Sequence, residues 1–191
     1  MIVLEPSIRR TDSRSLAYNK HSDFTRRIPS LSPKIQERVD RIVRQIINAA
    51  DVEGDYEKVK DIFFRKAHLL PNPIYWELLR TVWVTAGKTE NVHEFMPFFK
   101  SKRPSKSWFM TVEDARTLEG MEFPIMVYRA YEKEPDNGIS WTTDKEWCEE
   151  YAKRVGRKVK SRSVERKDIF AYISRRGENE IIIIDNKNER L

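Results

Sequence analysis

From residue 32 onward the hydrophobic positions fall into a helical rhythm. Ser32-Pro33 has the chemistry of a helix start, a serine N-cap with proline at the first helical position. Ile35, Val39, Ile42, Val43, Ile46 and Ile47 then recur at helical spacing. A second helix is predicted from Asp55, with Tyr56, Val59, Ile62 and Phe63 on one face. A third opens at Asn72-Pro73, turns Trp76, Leu79, Val82 and Trp83 inward, and stops at Gly87. The segment E-F-M-P-F-F, residues 94–99, reads as a short helical piece interrupted by proline.

The period changes after K-S-K-R-P-S-K-S, residues 100–107. A short helix is expected between Thr111 and Gly120, followed by a strand in E-F-P-I-M-V-Y-R-A and a turn at P-D-N-G, residues 135–138. I-S-W-T-T-D, residues 139–144, reads as a short strand running into a helix, with Thr143 and Glu146 as a capping box. Trp147, Tyr151 and Val155 follow at helical spacing beside Cys148 and Ala152. Further strands are predicted at Lys158–Val164 and Asp168–Ile173. The last is the run Ile181–Ile184, whose four β-branched residues read as apolar on both faces. The pattern predicts an α+β protein in three parts. These are a basic N-terminal arm over 1–31, a helical subdomain over 32–104, and a β-rich core over 105–191.

Composition narrows the function classes. The chain has 191 residues, enough to bury a real core, and 11% of them are aromatic, which argues against disorder. The formal net charge of +6 favours acidic partners or phosphorylated ligands. Cys148 is alone, so no disulfide forms within the chain, and a reducing, cytoplasmic setting is expected. His21, His68 and His93 are scattered, which argues against a metal site. No apolar stretch reaches the length of a membrane span, and the first ten residues lack a signal-peptide core.

Three short patches carry candidate chemistry. Arg129 sits near the end of an otherwise apolar strand, where its planar fork suits either an ion pair or a phosphate. Ser140, Trp141 and Thr142 set two hydroxyls around an aromatic ring; strand formation and capping explain the hydroxyls equally well. Glu178 and Glu180 stand two apart ahead of the isoleucines, so a strand beginning at Glu178 turns both to one side. Taken alone, such a pair is more often an exposed strand edge than a site. The run from Lys153 to Arg176 holds ten Lys or Arg against Glu165 and Asp168, but no nucleic-acid motif orders them. Neither G-x-x-x-x-G-K-[ST] nor G-x-G-x-x-G occurs.

The order of these patches is more informative than any one of them. V-Y-R-A (127–130), G-I-S-W-T-T-D (138–144) and G-E-N-E-I-I-I-I (177–184) together resemble the arginine–serine–glutamate class of mono-ADP-ribosyltransferases. The likeness covers about residues 108–191 and is nearest to the compact members of bacteria and their phages, which join a helical part to a small split β-sheet core. Ala130 stands where the family often has glycine.

The resemblance implies NAD as co-substrate, no metal, and a protein target modified on arginine. It implies that Arg129 anchors the NAD phosphate and nicotinamide-ribose side, and that Ser140, with Trp141 and Thr142, braces the nicotinamide pocket. Glu180 would hold the ribose 2′-hydroxyl, Glu178 would receive the incoming guanidinium, and the loop Ser174–Gly177 would meet the target. A carboxylate at the 2′-hydroxyl stabilises positive charge developing on the sugar as the glycosidic bond breaks. Two alternatives stay open: an NAD glycohydrolase using the same site with water, and a non-catalytic basic protein contacting an acidic or nucleic-acid-associated partner.

Overall fold

The computed structural model describes residues 31–87, 91–175 and 178–184, with the backbone alone at 175 and 178. Among these residues there are six α-helices and one five-stranded antiparallel sheet, so the protein is α+β with a helical N-terminal part. The chain groups into two compact units, one drawing on residues up to 88 and 100–112, the other on 89–99 and 113–191. The N-terminal arm read over 1–31 lies outside the described residues apart from Leu31.

The first unit is built on α1 (Pro33–Ile47), α2 (Tyr56–Lys66) and α3 (Asn72–Ala86). Pro33 occupies the first turn of α1, as its missing N–H allows, and Val39, Ile42, Val43 and Ile46 are buried. The helix then relaxes into a π turn over Asn48–Val52, which the spacing did not announce. Asp55 caps α2, its carboxylate accepting from the Lys58 N–H at 2.9 Å. In α3 twelve of fifteen residues are buried, Glu77 and Arg80 among them, so this helix is enclosed on every side rather than on one face. Trp76 donates its indole N–H to the Pro104 carbonyl at 2.9 Å, and Arg103 lies 4.5 Å over the Tyr75 ring.

The second unit carries α4 (Val92–Phe99), α5 (Val112–Glu119, from Glu113 on) and α6 (Lys145–Val155) with the sheet. Its strands are β1 (Ile125–Tyr131), β2 (Ser140–Thr142), β3 (Lys158–Val164), β4 (Ile169–Arg175) and β5 (Glu178–Ile183), in the spatial order β3-β1-β2-β5-β4. Helix α4, which the residue pattern assigns to the helical part, thus belongs with the sheet. A register irregularity between Ile169 and Ala171 takes Phe170 out of the ladder, and its ring meets that of Phe99 edge-on at 5.3 Å.

Two local readings need correction. The cap of α6 is Asp144, whose carboxylate accepts from the Trp147 N–H at 2.9 Å, and not Thr143. A carboxylate is the stronger acceptor, and it moves the helix start by one residue. The buried face of α6 is Cys148 and Ala152, whereas Val155 is 43% exposed. Trp147 and Tyr151 stack on each other at 5.4 Å along its flank.

Candidate functional site

The isoleucines decide where the acids stand. Ile181, Ile182 and Ile183 are all buried, so successive side chains of β5 enter apolar surroundings on both faces. Glu180 is the next residue back and is only half-buried. Strand pairing puts it directly across from Thr142 on one side and from Ile173 on the other. Thr142 in turn faces Tyr128, and Tyr128 faces Ser161. One row therefore crosses all five strands as Ser161, Tyr128, Thr142, Glu180 and Ile173. Residues directly opposite in antiparallel strands share a face, so three hydroxyls run up to one carboxylate.

Ser140 lies two residues from Thr142 and across from Ile182, which puts it on that same face. The Thr142 hydroxyl accepts from the Asp144 N–H at 3.0 Å, joining the row to the start of α6, and retains its own proton for donation. Glu178 opens β5 two residues before Glu180. Its side chain, like Arg176 and Gly177 of the expected target-facing loop, lies outside the described residues.

Arg129 and Trp141 are placed differently. Each is adjacent in sequence to a member of the row, so alternation carries both to the opposite face. Arg129 is 7% exposed and paired with Asp136, Nε reaching Oδ2 at 2.7 Å and Nη2 reaching Oδ1 at 3.3 Å. Its Nη1 donates to the Ser140 carbonyl. A Cβ on Gly138 would overlap the guanidinium, so glycine is the residue that admits this seat. Lys160 approaches Asp136 at 3.2 Å, and the Gly138 N–H donates to it at 3.1 Å. Burial alone would push the Asp136 carboxyl up, but the Arg129 hydrogen bonds and charge, with Gly138 and Lys160, outweigh it and hold the carboxyl below its usual range. Trp141 is buried under Arg162 at 4.6 Å and Lys160 at 5.8 Å, and its indole N–H has no hydrogen-bond partner among the described residues.

No protein-family model, curated protein or solved structure matches the chain.

Of the residues singled out from sequence, then, Ser140, Thr142 and Glu180 come together, while Arg129 and Trp141 lie behind them. Arg129 touches β2 from behind, at the Ser140 carbonyl. Tyr128 and Ser161 join the row without having been singled out. The alternation along V-Y-R-A could have drawn attention to Tyr128, but nothing local marks Ser161, because strand order is a tertiary property. Among the described residues no cluster of three His, Cys, Asp or Glu side chains could hold a metal ion, and no helix is long and apolar enough to cross a membrane.

Proposed function

We propose that the protein is an NAD-dependent mono-ADP-ribosyltransferase that modifies a protein target on arginine. The observation that carries this reading is the alignment of Thr142 and Glu180 on adjacent strands, with Ser140 on the same face. The three motifs of the resemblance lie on the neighbouring strands β1, β2 and β5, the last brought in from more than thirty residues further along the chain, which supports the reading. The residues of this face suit a sugar: hydroxyls at Ser140, Thr142 and Tyr128 offer donors and acceptors, and Glu180 offers a half-exposed carboxylate.

In this reading Glu180 accepts a hydrogen bond from the 2′-hydroxyl of the nicotinamide ribose and stabilises the positive charge that develops as the bond to nicotinamide breaks. Nicotinamide departs with the bonding electron pair. The target guanidinium forms the new bond at the same carbon and gives its proton to Glu178. Ser140 and Thr142 orient the ribose and Glu180. Arg129 acts one step back, since its guanidinium holds the Ser140 backbone and is itself held by Asp136.

The test is incubation of the full chain with labelled NAD and a bacterial lysate, alongside Glu180→Ala. Label on a protein band in the wild type, reduced at least a hundredfold in the variant, is the expected result, on the order of a lost transition-state contact. Nicotinamide release without labelled protein points to hydrolysis instead. Absence of both, with no binding of NAD, would sink the enzymatic reading and leave the basic interaction protein.

A further inference from the structure

Glu180 is only as well placed as the hairpin that carries it. The isoleucines anchor β5 from residue 181 onward, and the last fully buried residue of β4 is Ile173. Beyond these positions, among the described side chains, Ser174 is exposed and Asn179 and Glu180 are only half-buried. A slip of one residue there would turn Glu180 to the other face, because side chains alternate with a period of two.

Two contacts on the opposite face oppose such a slip. Ser174 pairs with Asn179, and Tyr172 with Ile181. The Asn179 carbonyl accepts from the Thr143 N–H at 3.2 Å, so its backbone is turned toward β2. The Ser174 backbone accordingly faces the open side of β4, which is the edge strand of the sheet. Asp114 of α5 meets it there. Its Oδ1 accepts the Ser174 N–H at 2.9 Å and the Ser174 hydroxyl at 2.6 Å, and the residue is completely buried. From the neighbouring position the Tyr172 hydroxyl donates to Asn179 Oδ1 at 2.7 Å. Thus Ser174, one residue from Ile173, and Asn179, one residue from Glu180, are each held by a specific bond.

We propose that Asp114 and Ser174, seconded by Tyr172 and Asn179, form a clamp that positions Glu180 for its work. They are positioning residues: Ser174, read in sequence as the start of the target-facing loop, lies within β4 and gives its hydroxyl to Asp114. The inference rests on the transferase reading for its purpose, but not for its geometry. A carboxylate taking two hydrogen bonds from one residue fixes both the edge backbone and the side chain, which a single bond would leave free to pivot. Small displacements matter at such a site, since misplacement by an ångström can lower a rate by on the order of a hundredfold.

The experiment compares Ser174→Ala, Ser174→Thr and Asp114→Asn in the full chain by nicotinamide release from NAD and by hydrogen exchange. In Ser174→Ala, kcat is expected to fall on the order of tenfold or more with KM for NAD within about twofold, and Ser174→Thr to restore it, because the hydroxyl is retained. The backbone amides of 178–180 should exchange faster in Ser174→Ala and Asp114→Asn, while those of β1 and β3 stay as in the wild type. Unchanged exchange at 178–180 overturns the clamp. So does a uniform rise over the whole sheet, which would mean a loss of stability alone, or local loosening with kcat intact. If the wild type neither releases nicotinamide, with a bacterial lysate present as acceptor, nor binds NAD, the enzymatic reading falls. Hydrogen exchange still decides whether the clamp holds the hairpin.

Discussion

Arg129 and Asp136 meet almost out of water, with 7% and 5% of their side chains exposed. A buried pair of this kind is weak evidence of net stabilisation, yet removing one partner is costly because the other is left charged and unpaired. Asp136→Asn is expected to destabilise the fold by about 3–5 kcal/mol, read from denaturant unfolding. The pair also predicts a pH dependence. The folded Asp136 carboxyl is held below its ordinary value, so its stabilisation is complete above roughly pH 4 and is lost as pH falls through the depressed value. The melting temperature of the wild type should therefore fall on acidification below that point more steeply than that of Asp136→Asn; parallel curves would count against the pair. The residue types in V-Y-R-A were legible in sequence, and so were the two alternatives for Arg129, an ion pair or a phosphate site; the structure pairs it with Asp136. The partner was not, because Asp136 comes from a loop whose path only the fold decides.

At the scale of elements, capping residues account for most of what could be read in advance. Pro33, Asp55 and Gly87 each mark a helix boundary through local backbone chemistry, and the structure keeps all three. Helix α6 ends as cleanly. Gly156 takes φ +68°, its N–H donates to the Lys153 carbonyl, and the Arg157 N–H reaches the Ala152 carbonyl at 2.8 Å, a Schellman closure. A Cβ at Gly156 would meet nothing within 4 Å, so only the left-handed backbone opposes a side chain there. Gly156→Ala should cost about 1–2 kcal/mol, and Gly156→Asn less, as chemical denaturation would register. The face of α6 was harder to read. Val155 continues the helical spacing of Trp147 and Tyr151, yet it is Cys148 and Ala152, small enough for close packing, that turn inward.

For the whole molecule, the informative feature is that α4 belongs with the sheet although its composition matches the helices before it. Phe95 and Phe99 are buried, and Phe99 packs on Phe170 where β4 departs from its ladder. Phe99→Ala is expected to destabilise this unit by about 3–5 kcal/mol, the usual cost of emptying an aromatic site. In native-state hydrogen exchange the amides of β4 and β5 should lose protection while those of α1 and α2 keep theirs. Equal loss in both would show one cooperative core rather than two units.

The sequence by itself determined the α+β class, the positions of most helix and strand boundaries, and the apolar anchor of β5. These follow from hydrophobic period and capping chemistry, which act within a few residues. Strand order and register were decided by the tertiary structure alone. They set Glu180 across from Thr142, brought Tyr128 and Ser161 into the same row, and sent Arg129 and Trp141 to the other face. They also placed Asp114 against an edge of the sheet sixty residues further along the chain. Such pairings depend on which distant surfaces bury each other, and no local spacing encodes that.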